Sequence, residues 1–246
     1  MEKNEIAISV KDLHVYYRDM NRFSLKKSGL KGKGSGKIFK AVKGVSFEIP
    51  KGQILGICGK NGSGKSTLLR AISGIFSPDK GSIDLHGNSI SLLSIGVGFQ
   101  KRLTGYENIY LSGMLLGYTK EQIDEKLQDI IDFSELGDFI YRPVRSYSSG
   151  MHSKLAFSIT AILETDIMLI DEVLSFWDVH FKEKSYNKMK ELISNEDRTV
   201  VKVSHSTKTI VELCDKVIWL HEGLIKDEGD PATIMAKYEE FMREEQ

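Results

Sequence analysis

Nine consecutive residues, Gly59-Lys-Asn-Gly-Ser-Gly-Lys-Ser-Thr67, carry the plainest chemistry in the chain. Gly59 to Ser66 fit the spacing G-x-x-x-x-G-K-[ST] of a phosphate-binding loop. The glycines let the backbone curl until successive N–H groups face phosphate oxygens. A helix expected over Ser66–Ser73 adds the positive end of its dipole. Lys65 is expected to reach the β- and γ-phosphates of a nucleoside triphosphate, and Ser66 to offer a hydroxyl to Mg²⁺. The candidate nucleotide-binding residues are therefore Gly59, Lys60, Asn61, Gly62, Ser63, Gly64, Lys65, Ser66 and Thr67.

Three further segments acquire meaning beside that loop. Ile167-Met-Leu-Ile-Asp171-Glu172 is an apolar strand ending in two carboxylates. Set parallel to the strand feeding the loop, it carries Asp171 to the nucleotide edge of the sheet, to hold Mg²⁺ directly or through water. Glu172 is then placed to orient or deprotonate the attacking water. Val201-Lys-Val-Ser-His205 is a second strand, ending in an imidazole that can reach the γ-phosphate. Tyr147-Ser-Ser-Gly-Met151 opens a helix with two hydroxyls and a glycine, which suits an anion and equally suits an ordinary N-cap.

The elements that must position these groups are legible from periodicity and turn residues. Gln53–Cys58 reads as the strand entering the loop, giving the strand–loop–helix order the motif requires. Strands are expected over Ile6–Val10, Ala41–Ile49, Ile167–Ile170 and Thr199–Val203, with a β-rich segment over Gly81–Ile95. Thr104 to about Leu136 is helical in pattern, with a capping box at Thr119–Gln122. Helices are also expected over Ser149–Leu163, Phe181–Ser194 and Thr207–Cys214, with a hairpin-like pair around Val217–Lys226. Asp230-Pro231 starts a last helix, charged and expected to lie on the surface. This order predicts a single domain. Its nucleotide-binding core takes residues 1–100 and 166–246, and a helical subdomain of residues 101–165 is inserted between them.

Composition bounds the reading further. The formal net charge is zero, so overall charge gives no reason to expect nucleic acid. The two cysteines, Cys58 and Cys214, make neither a disulfide framework nor a metal motif and fit a reducing cytosol. No apolar run approaches a membrane span, and the polar start is not a signal peptide. If the protein acts at a membrane, another polypeptide must hold it there.

Taken in order, the phosphate loop, the helical insertion, Ser148-Ser149-Gly150, Asp171-Glu172, Ser175-Phe-Trp-Asp178 and His205 resemble the ATP-binding subunits of ABC transporters. The resemblance runs over essentially the whole chain. It implies an α/β fold, a P-loop NTPase of ABC ATPase type. Such a fold has a mainly parallel β core, an antiparallel β subdomain and an inserted α-helical subdomain. It implies ATP and Mg²⁺ as cofactors and a head-to-tail homodimer. In that dimer Ser148, Ser149 and Gly150 of one copy close over ATP on the phosphate loop of the other. By the same resemblance Glu172, His205 and Lys65 are catalytic, and Asp178 lies in the loop coupling the two sites. Tyr17 stacks on adenine, with Tyr16 as the alternative. Gln100 sits later than the family's usual Mg²⁺-contacting glutamine, Trp177 is bulky where a small residue is common, and Tyr147–Met151 departs from the usual Leu-Ser-Gly-Gly-Gln.

These departures look like a narrower group, the exporters of polysaccharides and teichoic acids. The likeness rests on Gly96–Phe99, Leu103–Ile109, Phe133–Ile140, Pro143–Phe157 and Lys237–Phe241. It implies a lipid-linked glycopolymer as cargo, most like wall teichoic acid, with O-antigen or capsular polysaccharide as the alternative. Two copies of a multispan permease are the implied partners, with the chain peripheral on the cytoplasmic face of the membrane and no nucleic acid involved. The chain ends soon after its core, so a glycan-binding C-terminal domain is not expected. The basic stretch 18–40 carries eight Lys and Arg residues against Asp19. It reads either as a solvated loop or as an element facing anionic headgroups or pyrophosphate. Two other classes fit less well. A soluble ABC ATPase acting on ribosomes or DNA usually has two linked ATP-binding units or a long coiled-coil insertion, neither of which this sequence shows. A small-molecule P-loop kinase is opposed by Ser148-Ser149-Gly150 and the His205 strand end.

Overall fold

The computed structural model describes residues 5–18, 38–93, 98–171, 179–193 and 198–244; for Arg18, Val179, His180 and Lys182 the backbone alone is described. Among these residues the strands form two sheets. The smaller one is antiparallel, in the order β2 (Ile38–Pro50), β1 (Ile6–Arg18), β4 (Lys80–Asp84). The larger one runs β5 (Ile90–Leu93), β6 (Ile167–Ile170), β7 (Thr199–Val203), β3 (Ile54–Cys58), β8 (Lys216–His221), β9 (Leu224–Gly229). The pairs from β5 to β8 are parallel and β9 is antiparallel to β8.

The parallel strands read as short apolar runs because both faces are covered. All four residues of β6 and all five of β7 are buried. The expected β-rich segment over Gly81–Ile95 divides at a turn through His86 and Gly87, both at positive φ, so that β4 joins one sheet and β5 the other. The first strand continues to Arg18, well past Val10, by kinking at Asp12 (φ 45°). The core between the two sheets and α1 (Lys65–Ile72) holds Ile8, Leu13, Ile49, Leu55, Leu68 and Leu169.

Helices α2 (Gly105–Leu115), α3 (Lys120–Ser134) and α4 (Ser149–Ile162) share a second cluster built on Ile109, Ile123, Ile130, Leu155 and Ile159. Full capping boxes at Thr104/Glu107 and Thr119/Gln122 start α2 and α3. α4 also enters a third cluster, in which Phe157 and Ala161 pack with Phe181 of α5 (Val179–Ile193) and Ile170 of β6. Glu135 reinforces that junction, accepting from Lys154 of α4 (3.4 Å) and Lys184 of α5 (3.0 Å).

After α6 (Thr207–Leu213) and the β8–β9 hairpin comes α7 (Pro231–Glu244), whose start is capped by Asp230 accepting from the Thr233 amide at 2.9 Å. This last helix is not simply surface-lying. It buries Ile234, Met235 and Tyr238 against Trp219, Cys58 and Ile210, while its charged residues face solvent. Charge content hid an amphipathic face spaced at i, i+1 and i+4.

Candidate functional site: a phosphate cradle and a separate signature face

β3 runs through the middle of the parallel sheet and delivers the chain to the loop at Gly59. Gly59 (φ 146°) could not be replaced without moving the hairpin, because a Cβ there would lie 2.1 Å from the Leu220 carbonyl oxygen. Gly64 (φ 106°) caps α1 in the left-handed region, and a Cβ there would lie 2.4 Å from the Ala41 carbonyl oxygen. The Gly223 amide donates to the Ser63 carbonyl at 3.0 Å. The loop is thus braced from outside by β2 and the β8–β9 hairpin.

Inside the loop, the Lys65 ammonium donates to the carbonyls of Gly59 (2.7 Å) and Lys60 (2.9 Å) and is 6% exposed. It stands where it can transfer to phosphate oxygens. Ser63 Oγ is buried with no hydrogen-bond partner among the described residues. Ser66 Oγ donates to Asp171 Oδ1 at 3.4 Å, joining the first turn of α1 to the end of β6. Both are hard oxygen donors of the kind Mg²⁺ accepts, so the residues present fit that ion. A cavity of ≈ 260 Å³ is lined by Asn61, Gly62, Gly64, Lys65, Ser66 and Thr67, with Asp171 and His205 on its far wall. Residues from β3, β6 and β7, distant in sequence, therefore meet at one sheet edge, as parallel strands feeding a switch point should.

Tyr17 stands beside this cavity. Its hydroxyl shares a hydrogen bond with Thr67 Oγ1 at 3.0 Å, and its ring stacks on Phe39 at 6.5 Å and meets Phe76 edge-on at 5.9 Å. Tyr16 points elsewhere, bonded to His14 Nδ1 and covered by Lys40. Of the two, Tyr17 is the one beside the phosphate loop. Phe39, 58% exposed and lining the same cavity, is a second aromatic that sequence reasoning missed. The available signal was an aromatic two residues before the strand expected from Ala41.

Ser148 caps α4, accepting from the Met151 amide at 3.2 Å, and Ser148 and Ser149 are exposed. They open on a different cavity, shared with Lys101, Arg145 and His152, and none of its lining residues lines the phosphate cavity. Tyr147 explains one departure noted in the sequence. Its hydroxyl donates to the Phe139 carbonyl at 2.8 Å and occupies the place where a Cβ on residue 105 would stand, 2.2 Å away. Tyr147 and Gly105 are thus two halves of one packing solution. Burial pushes the Tyr147 phenol up to about 12, so it keeps the proton that it donates to the Phe139 carbonyl. Burial beside Phe99, helped by the Lys101 charge, holds the His152 imidazole below its ordinary range.

Gln100 is exposed, with its backbone clamped by Asn108 at 2.8 Å and 3.2 Å, and does not line the phosphate cavity. Glu172, Trp177 and Asp178 lie outside the described residues, as does the basic stretch apart from its ends. Cys58 and Cys214 are buried free thiols, pushed up to about 12 by burial. No described helix is long and apolar enough to cross a membrane.

A phosphate cradle at the edge of the parallel sheet and a hydroxyl-lined helix start on the helical cluster, together on one chain, define a class of nucleotide-binding cassette. The profile of the family described as "ABC transporter" matches residues 42–175, more than half of the chain, and the chain belongs to that family. It is 45% identical to the teichoic acids export ATP-binding protein TagH of Bacillus anthracis, over 82% of this chain and 37% of that one. It is 39% identical to the O-antigen export system ATP-binding protein RfbB of Klebsiella pneumoniae, over 84% of both. Several curated relatives are much longer, and the chain spans 37%, 46% and 56% of three of them. Among solved structures, an ATP-binding subunit of an ABC transporter superposes with a TM-score of 0.72 at 20% identity, covering 94% of this chain and 93% of that one. A dimeric bacterial ABC transporter cassette gives 0.70 at 21% identity, covering 91% and 98%. These likenesses show the fold.

Proposed function

We propose that the chain hydrolyses ATP to power export of a lipid-linked glycopolymer, wall teichoic acid first among the candidates, through a separate transmembrane subunit. The observation that carries the reading is the separation of the two cavities. Lys65, Ser66 and Asp171 surround one, Ser148 and Ser149 open on the other, and they share no lining residue. A cradle for the triphosphate and a cap for it on different faces of one chain call for a second copy, placed head to tail.

In this reading Gly59–Thr67 bind the phosphates and Lys65 moves from its two carbonyls to the β- and γ-oxygens. Tyr17, with Phe39, receives the base. Ser66 and Asp171 would hold Mg²⁺, which when bound neutralises charge on the phosphate oxygens. Glu172 takes the proton of the attacking water and His205 faces the γ-phosphate. Ser148, Ser149 and Gly150 of the partner copy close over the triphosphate. ATP favours the closed dimer because only there are both sets of contacts made, and hydrolysis removes them. Asp178 then lies where the two sites communicate. Gln100 remains a candidate for the metal's surroundings, carried by resemblance. The boundaries 1–100, 101–165 and 166–246 divide the labour between nucleotide chemistry and contact with the permease. Met114 and Leu115, exposed beside an apolar cavity lined by Ile75, Leu92 and Phe99, suit that contact.

The cargo assignment is supported by the TagH relatives. A second cargo, O-antigen, is favoured by the relative matched over most of both chains. The experiment is purification from native membranes with identification of the bound multispan subunit and its glycan, alongside MgATP hydrolysis without added acceptor. Recovery with ribosomes instead of a membrane protein, or no hydrolysis without an acceptor, overturns the reading.

A further inference from the structure

The phosphate loop is touched by an element with no part in phosphate chemistry, the last helix. On α7, Ile234, Tyr238 and Phe241 share one face at i, i+4 and i+7. Ile234 and Tyr238 are packed into the cluster over β8, and Phe241 lies partly buried at its rim. Four side chains converge on the Phe241 ring. Trp219 and His221, alternate residues of β8, meet it edge-on at 5.2 Å each. Lys226 of β9 lies over it with the ammonium 3.2 Å from the centroid. The fourth is Lys60, the second residue of the phosphate loop, its ammonium 5.6 Å from the same centroid. The main-chain carbonyl of Lys60 is also one of the two acceptors of the Lys65 ammonium. Lys60 is therefore held at both ends, its side chain by an aromatic of α7 and its carbonyl by the lysine that must reach the nucleotide.

We infer that Phe241 is a positioning residue for nucleotide binding. Its ring fixes the course of Lys60 and so presets the cradle in which Lys65 meets the triphosphate. The inference rests on the ATP-binding role of Gly59–Thr67 proposed above. The physical basis is the attraction of an ammonium to the ring quadrupole and the smaller ordering cost of a preset loop. Trp219, His221 and Lys226 hold the ring in place, so the platform does not depend on Lys60 for its own order.

The test uses the full chain and ATP itself, with affinity as the main readout. Phe241→Leu keeps an apolar side chain of somewhat smaller volume and removes the quadrupole, whereas Phe241→Tyr keeps the ring. The expected result is ATP affinity weaker by about 2- to 5-fold in Phe241→Leu and unchanged in Phe241→Tyr. In a Lys60→Gln background Phe241→Leu should cause no further loss. Proton NMR supplies a readout independent of nucleotide, because the ring should shift the Lys60 ε-methylene upfield in the native chain and not in Phe241→Leu. Equal affinities for native chain and Phe241→Leu, equal losses for Leu and Tyr, the same loss with Lys60 already replaced, or an unshifted Lys60 methylene each overturn the inference. Failure of the native chain to hydrolyse MgATP would instead count against the proposed function.

Discussion

Ser66 Oγ donates to Asp171 Oδ1 across 3.4 Å, and this contact closes the nucleotide edge of the sheet. Ser66 lies in the first turn of α1 and Asp171 directly after β6, so two strands' worth of chain converge on a hydroxyl–carboxylate pair. Asp171 is 7% exposed, and its carboxylate faces the cavity that the phosphate loop encloses. Lys65 lines the same cavity, and its ammonium is held by the Gly59 carbonyl, whereas His152 lines the separate cavity of the α4 start.

Lys65→Ala removes a buried ammonium aimed by two carbonyls, at 2.7 and 2.9 Å. ATP affinity is expected to fall on the order of 100-fold, as for loss of a charge-assisted bond of about 1.5–3 kcal/mol. Isothermal titration with MgATP measures it, and a loss under about 3-fold would exclude Lys65 as a phosphate ligand.

Glu172→Gln should leave ATP binding intact and slow turnover by about 100-fold or more, the scale of a lost general base. Because ATP then persists, the variant should also elute as a dimer in MgATP during size-exclusion chromatography. Full ATPase activity would sink the general-base role.

Gly59→Ala and Gly62→Ala should separate sharply. At Gly59 a Cβ meets the Leu220 carbonyl at 2.1 Å, whereas at Gly62 (φ 82°) it meets nothing within 4 Å. Gly62→Ala is expected to cost about 1–2 kcal/mol from its left-handed backbone alone. Gly59→Ala is expected to cost about 3 kcal/mol or more, with loss of ATP binding. Urea denaturation compares them, and equal costs would show that the hairpin does not brace the loop.

His152 should weaken the fold in mild acid. Its folded pKa lies below the ordinary value of 6.5 because of burial and Lys101. As pH falls through the unfolded value, the unfolded chain takes a proton that the folded chain resists, so stability declines until the folded pKa is passed. His152→Phe should flatten the fall in Tm between pH 7 and 5, and an unaltered slope would refute the assignment.

Neutralising Lys26, Lys27 and Lys31 in the basic stretch should leave basal ATP hydrolysis unchanged and lower polymer export. Each cation near an anionic surface contributes about 1 kcal/mol. Export assayed in cells at native levels would dismiss the idea.

The sequence alone determined the phosphate loop, the strands at Ile167–Ile170 and Thr199–Val203 and the helix caps at Thr119 and Asp230. Each depends on neighbours within a few residues: glycines that curl the backbone, apolar runs buried on both faces, side chains that bond the next turn. Tertiary structure set Tyr17 beside Thr67 and turned Tyr16 to His14, because the register of β1 shifts between Val10 and Leu13 and again between Val15 and Tyr16, which defeats counting by twos. It also brought Phe39 to the cavity, fitted Tyr147 into the space left by Gly105, turned one face of α7 into the core and set Phe241 against Lys60. Those relationships join residues far apart in the chain, and only packing and strand register place them together.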